Sequence, residues 1–152
     1  MAKVNYREGD WFAVPLREGG YAVGVVARAN PKAALLGYFF GPRRVDLPSL
    51  DDVADLKPDE AVLVGKFGHL GLTKGTWPIL GRLEDWDRAE WSMPLFVRYE
   101  ELTGLSFRVL YDDDPNKLIR EEQAAPGEGE QGPKDGSMGE GFAEKVLTSL
   151  LG

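Results

Sequence analysis

Short apolar runs that alternate with turn sequences dominate the first half of the chain. The runs lie at residues 10–16, 21–29, 35–40 and 61–67, and they are rich in Val, Leu and Phe. Turn sequences follow the first three runs: Arg-Glu-Gly-Gly at 17–20, Asn-Pro at 30–31 and Gly-Pro at 41–42. β-Branched and aromatic residues favour strands, whereas Gly, Pro and Asn favour turns. The pattern predicts antiparallel strands, and the third run, which does not alternate, is expected to be buried on both faces.

The second half of the chain continues this pattern. Residues 77–81 are predicted to form a short strand, residues 95–99 and 106–111 a hairpin, and residues 117–120 an edge strand. A short helix is predicted at 49–56, where Ser49 is a favourable N-cap. We therefore expect a mainly β fold: a strongly bent antiparallel sheet or a partly open barrel with one or two short helices.

Composition divides the chain into three parts. Residues 1–122 are predicted to form the β domain, and residues 123–141 are dominated by Gly, Pro, Glu and Gln, which is typical of a flexible linker. In the last part, 142–152, apolar residues recur at helical spacing. They are Phe142, Val146, Leu147, Leu150 and Leu151. A helix this short is marginal by itself, so it should dock on its own domain or on another molecule, which permits a monomer or a dimer.

Charge and composition exclude several functional classes. The chain has 25 Asp and Glu against 18 Lys and Arg, a formal net charge of −7, which argues against a protein that binds nucleic acid by neutralising phosphates. It has no cysteine and one histidine, so a thiolate zinc site and most histidine metal sites are excluded, and no metal or cofactor is expected. Neither a signal peptide nor a membrane-spanning run is recognisable. We therefore expect a cytoplasmic protein that does not bind membranes.

Two acidic loops are the candidate partner-binding sites. Their residues are Glu84, Asp85, Trp86 and Asp87 in the first loop and Asp112, Asp113 and Asp114 in the second. Three consecutive aspartates lack the alternating ligand spacing of a calcium loop, and a turn is the more common explanation for them. Carboxylates at loop ends can imitate the phosphates that a basic protein holds, and Trp86, whose neighbours are charged, is a candidate aromatic anchor. Trp77 and Trp91 are expected to close one end of the fold.

No catalytic motif is present. His69 lies beside glycines in Lys66-Phe-Gly-His-Leu-Gly71, where a hydrogen-bonded structural role is the more common one. The chain has neither a Gly-x-Ser-x-Gly elbow nor a phosphate-binding Gly-x-x-x-x-Gly-Lys-Ser/Thr loop. A non-enzymatic protein is therefore predicted. Two alternatives remain: a small-molecule-binding barrel lined by the many aromatic residues, and a hydrolase that pairs His69 with a carboxylate.

Three stretches of the chain occur in a familiar order. They are Gly9-Asp-Trp-Phe-Ala-Val-Pro-Leu16 followed by Gly20-Tyr-Ala-Val-Gly-Val-Val26, then Leu36-Gly-Tyr-Phe-Phe40, and then Trp77-Pro-Ile-Leu-Gly81 with Trp91 and Pro94-Leu-Phe96. Over about residues 5–120 the chain thereby resembles the immunity protein 26 family of bacterial polymorphic-toxin systems. The resemblance implies a mostly β, non-enzymatic protein that is made beside a toxin and neutralises it by binding. With the acidic charge, it predicts a basic toxin, such as a nuclease, whose active surface is blocked.

Overall fold

The computed structural model describes residues 5–29, 34–115, 117–124 and 133–151. The strands are β1 Asp10–Pro15, β2 Tyr21–Arg28, β3 Leu35–Arg44, β4 Leu63–Phe67, β5 Ile79–Arg82, β6 Phe96–Glu100, β7 Leu105–Tyr111, β8 Leu118–Gln123 and β9 Ser137–Met138. The helices are α1 Leu50–Val53, α2 Leu70–Thr73 and α3 Glu140–Leu151, with a 3-10 turn at Pro58–Glu60. The predicted mainly β class and the C-terminal helix are confirmed. The predicted Asn30-Pro31 turn lies outside the described residues.

In the described ranges the strands form two sheets. The larger has the order β5-β1-β2-β3-β4-β9, and all its pairs are antiparallel except β4 with β9. The smaller has the order β6-β7-β8 and is antiparallel. The two sheets do not close into a barrel within these ranges. The predicted hairpin of residues 95–99 and 106–111 is confirmed as β6 and β7.

The segment 133–138 joins the edges of the two sheets. The Val97 N–H on β6 donates to the Pro133 carbonyl at 2.8 Å, and the Asp135 N–H donates to the Val97 carbonyl at 2.7 Å. Immediately afterwards, β9 pairs with β4. The Asp135 carboxylate accepts a hydrogen bond from the Tyr111 hydroxyl at 2.6 Å and lies 3.4 Å from Lys66 Nζ. This part of the predicted linker, 123–141, is therefore attached to both sheets, whereas residues 125–132 lie outside the described residues.

The larger sheet is apolar on both faces. Successive side chains of a strand point to opposite faces, and β1, β2 and β3 are apolar at almost every position. The first face carries Phe12, Val14, Ala22, Val26, Leu35, Phe39 and Phe67, and it is covered by α2, Trp77 and α3. The second face carries Trp11, Val23, Val25, Ala27, Leu36, Tyr38 and Phe40, and it is covered by α1, Trp91 and the smaller sheet. The expectation that Trp77 and Trp91 close one end of the fold together was wrong, because they pack on opposite faces of this sheet. The predicted burial of residues 35–40 on both faces is confirmed.

Aromatic rings on the first face pack over glycines. The Phe12 ring is stacked on the Trp77 ring, with centroids 5.7 Å apart and an interplanar angle of 9°. A Cβ atom at Gly24 would lie 2.6 Å from Phe12 Cζ, and one at Gly37 would lie 2.6 Å from Phe67 Cε1. Real carbon atoms do not approach this closely. The two glycines therefore provide the space that the rings occupy, and the aromatic residues fill the interior rather than line a cavity.

Helix α3 packs against the first face of the larger sheet. Its buried residues are Ala143 and Leu147, and Leu151 packs against the same cluster. The predicted stripe is confirmed at Leu147 and Leu151. Two other members, Phe142 and Leu150, are 59% and 52% exposed, and Ala143, which was not predicted, is buried instead. Polar contacts hold two successive turns of the helix: the Trp77 indole N–H donates to Glu144 at 2.9 Å, and the Arg17 backbone N–H donates to Thr148 Oγ1 at 3.0 Å.

The Gly37→Ala variant tests the packing of the first face. The added methyl group has to displace the Phe67 ring, so we expect the free energy of unfolding to fall by about 1–3 kcal/mol, the usual cost of overpacking. Gly139→Ala is the matched control, because no atom lies within 4 Å of its added Cβ, and a change below about 0.5 kcal/mol is expected. Urea denaturation of both variants provides the measurement. Equal stabilities for the two variants would contradict this description.

Candidate functional site

The buried side chain of Arg28 connects the two predicted acidic loops. Arg28 ends β2, and only 4% of its surface is exposed. Its guanidinium donates to the Trp91 carbonyl at 3.0 Å and to the Asp113 carboxylate at 3.0 Å, and more weakly to the Arg88 carbonyl at 3.3 Å. One residue of the central sheet therefore holds the loop of residues 84–91 beside the turn of residues 112–114.

A chain of ion pairs continues from Asp113 across the surface. Arg88 lies between two carboxylates, with Nη1 3.5 Å from Asp113 Oδ2 and Nη2 2.9 Å from Glu8 Oε1. The hydrogen bond from Arg28, helped by the charges of Arg28 and Arg88, lowers the pKa of Asp113 below its ordinary value. The Asp113 carboxylate is thus already partnered by two arginines, although its side chain is 58% exposed.

The Trp86 side chain is half-buried, whereas the sequence indicated an exposed segment. Its ring is stacked on Trp91, with centroids 5.8 Å apart and an interplanar angle of 20°, and its indole N–H donates weakly to Glu8 at 3.4 Å. Trp91 itself is buried against Trp11 at 5.7 Å. The aromatic packing therefore holds Trp86 in one orientation, with part of its ring accessible.

The carboxylates of the two loops have different surroundings. Glu84, Asp85 and Asp87 are exposed, and Asp87 Oδ1 accepts the Ala89 backbone N–H at 3.0 Å. Asp112 and Asp114 are half-buried and belong to a turn in which the Lys117 N–H donates to the Asp114 carbonyl at 3.0 Å. In the described part of the chain no three His, Cys, Asp or Glu residues are grouped so that they could hold a metal ion.

Arg28 is the residue of the candidate site that the sequence analysis did not identify. A signal was present, because Arg28 is the single charged residue within the apolar run of residues 21–29. A charged group buried by a strand costs several kcal/mol unless it is fully hydrogen-bonded. Such a residue therefore indicates that acceptors from elsewhere in the chain converge on it, although it does not say which acceptors these are.

Two other places bear on the alternative functions. His69 Nδ1 and the Tyr6 hydroxyl are hydrogen-bonded at 3.0 Å, and no described carboxylate is hydrogen-bonded to His69. A groove of about 670 Å³ runs between β4, β9 and α3, with Val62, Phe142, Val146 and Leu150 along its walls. The groove is open and lined mainly by aliphatic side chains. The alternative of a small-molecule-binding barrel predicts a deep pocket lined by aromatic residues instead. No helix among the described residues is long and apolar enough to cross a membrane.

The sequence of the chain matches the model of one protein family. The sequence model of the immunity protein 26 family matches residues 7–105, about two thirds of the chain. The chain belongs to the immunity protein 26 family. The family match includes β1 to β6, α1 and the loop of residues 84–91, whereas residues 112–114 and α3 lie beyond it. No curated protein and no solved structure matches the chain. Membership confirms the predicted resemblance and implies the role of an immunity protein in a toxin system.

The Asp113→Asn variant tests the connection made by Arg28. Because the pKa of Asp113 is lower in the folded chain, the charged pair stabilises the fold above the ordinary carboxylate pKa of about 4. This contribution is lost as the pH falls through the folded value. We therefore expect the wild type to be more stable than the variant at pH 7, and the difference to shrink towards pH 2. Urea denaturation at several pH values measures it.

Asp46→Asn, at an exposed position, is the matched control for this experiment. Its effect on the free energy of unfolding should be below about 0.5 kcal/mol at neutral pH. A stability difference between Asp113→Asn and the wild type that stays constant from pH 7 to pH 2 would show that the Asp113 charge does not stabilise the loop.

Proposed function

We propose that this protein neutralises a cognate toxin by binding to it and covering its active surface. The observation that carries the proposal is the contact of the two acidic loops through Arg28, Arg88 and Asp113. The contact turns two separate sequence segments into one surface with a half-buried tryptophan at its side. Membership in the immunity protein 26 family supports the same role.

The proposed partner is a basic protein, and the proposed action is binding without chemistry. A net charge of −7 steers a positively charged partner during diffusional encounter and raises its association rate. A toxin that acts on nucleic acid has a basic active surface, which an acidic protein can cover in place of the phosphates. We propose that the complex forms in the cytoplasm of the producing cell, with this chain as a monomer whose helix α3 stays on its own sheet.

Preformed geometry supports a binding role for Trp86. Interface residues that contribute most of the binding energy are commonly tryptophans in well-packed surroundings. Stacking on Trp91 fixes the Trp86 ring before any partner arrives, so little side-chain entropy is lost on binding. The part of the ring that remains accessible, next to Asp85 and Asp87, then provides the apolar contact among the ionic ones.

Binding to the product of the gene immediately upstream tests the proposal. We expect a one-to-one complex by size-exclusion chromatography and rescue of growth when the two genes are expressed together. Alanine substitution of Asp85, Trp86, Asp113 and Asp114 together should raise the dissociation constant at least tenfold, because central aromatic and charged contacts are lost. Isothermal titration calorimetry measures the constant, and circular dichroism verifies that the variant is folded.

Four alanine substitutions at exposed positions elsewhere provide the matched control: Glu18, Asp46, Glu101 and Glu122. This control should bind within about twofold to threefold of the wild type, since rim and remote charges mainly change association rates. A folded Asp85/Trp86/Asp113/Asp114 variant that binds as tightly as the wild type would show that the toxin is recognised by another surface.

A further inference from the structure

The negative charge of the protein is concentrated on two segments. Residues 49–60 and 84–91 together contain nine carboxylates and two basic residues, a formal net charge of −7 that equals the charge of the whole chain. All nine carboxylate residues are exposed. The rest of the chain is neutral in sum, so the net charge of the protein is carried by these two segments.

The fold brings the two segments together into one acidic face. Val53 of α1 is fully buried under the second face of the larger sheet, which anchors the first segment. The two segments then meet around a pit of about 30 Å³, with Ala54, Leu56 and Lys57 on one side and Asp85, Trp86 and Asp87 on the other. Lys57 Nζ lies 3.3 Å from Glu90 Oε1 across this junction. We call the exposed carboxylates of residues 49–60 and 84–91 the acidic face.

An unpaired donor lies at the same junction. Trp11 lines the pit and its side chain is 1% exposed. Its indole Nε1 has no hydrogen-bond partner among the residues that the structure describes. A buried donor without an acceptor costs about 1–3 kcal/mol. An acceptor oxygen that enters the pit and reaches the indole N–H would recover part of that free energy. The pit has room for one such small group.

We propose that the acidic face, with the Trp11 pit at its centre, is the toxin-recognition surface, and that its partner is a basic protein surface. The partner would carry lysine or arginine side chains to the rim carboxylates and one acceptor oxygen, from a backbone carbonyl or a hydroxyl, to the Trp11 indole N–H. This inference rests on the proposed function and changes the set of residues that are proposed to contact the toxin. It adds α1 and residues 55–60, which the sequence did not indicate. It places Asp112, Asp113 and Asp114 at the edge of the contact surface, because Asp113 is already paired with arginine.

Charge-neutralising variants of equal net charge test this footprint. The first variant carries Asp51→Asn, Asp55→Asn and Asp59→Asn, all on the added segment. The second carries Glu18→Gln, Glu101→Gln and Glu122→Gln, which are exposed and lie outside both segments. Stopped-flow association with the upstream gene product at low and high salt is the measurement. At low salt the first variant should associate at least fivefold more slowly than the wild type and the second less than twofold, with the difference vanishing at high salt.

The outcomes separate this inference from the proposed function. Suppose that the wild type binds and rescues growth, but both variants slow association equally or neither does. The proposed function then stands, and the proposal that the toxin binds the acidic face is wrong. If the wild type does not bind the upstream product, the proposed function fails for that toxin. The face is then judged by titrating the protein with a ten-residue polylysine peptide and following backbone amide signals by NMR.

In that titration the signals of residues 49–60, residues 84–91 and the Trp11 indole N–H should shift, whereas those of residues 98–107 should not. Shifts spread evenly over the exposed carboxylates of the chain, with the Trp11 indole signal unchanged, would overturn the proposal. The Trp11 signal also separates a partner that reaches into the pit from one that only neutralises the surrounding charge.

Discussion

The larger sheet is apolar on both faces, and each of its faces has to be covered. A sheet of this kind cannot leave one face in water, because the hydrophobic contribution of β1, β2 and β3 depends on removing both faces from solvent. The chain covers the first face with α2 and α3 and the second with α1, the loop of residues 84–91 and the smaller sheet. The proposed recognition surface is the solvent-facing side of the elements that cover the second face. Their inner side is Val53, Trp91 and Phe96, which are buried.

Arg28 attaches the loop of residues 84–91, which covers the second face, to strand β2. Its guanidinium reaches through the apolar layer to two carbonyl groups of the loop and to the Asp113 carboxylate. Hydrogen bonds to a charged donor are stronger than neutral ones, and they offset the cost of burying the charge. The same contacts determine how the acidic segments are presented. The stability of the loop of residues 84–91 and the geometry of the proposed recognition surface therefore both depend on the Arg28 side chain.

Much of the fold could be predicted from sequence, because strands and turns are local signals. The alternating and continuous apolar runs gave β1 to β4, and the hairpin of β6 and β7 follows from its turn sequence. The predicted stripe on α3 was right for Leu147 and Leu151 and wrong for Phe142 and Leu150. These two are as apolar as the residues that pack, and only the packing against the sheet distinguishes them. The attachment of residues 133–138 to β4 and β6 depends on long-range backbone pairing, which composition does not report.

The candidate site was only partly accessible to sequence reasoning for the same reason. The loops were recognisable from their local charge, but their contact depends on Arg28, which lies 60 positions from Arg88 and 85 from Asp113. The half-burial of Trp86 depends on Trp91 and Trp11, and the contribution of α1 depends on where Val53 packs. Each of these is a tertiary contact between segments whose own patterns are unremarkable. Family membership supplied the functional class, and the structure supplied a surface on which that function can act.

Hydrogen–deuterium exchange of the protein, free and bound to the upstream gene product, tests where the toxin binds. We predict that toxin binding slows exchange in residues 49–60 and 84–91 and leaves α3 and the groove beside β4 unchanged. Slower exchange confined to α3, β4 and β9, with the acidic segments unaffected, would contradict this prediction. The toxin would then bind beside α3, on the side of the first face of the larger sheet.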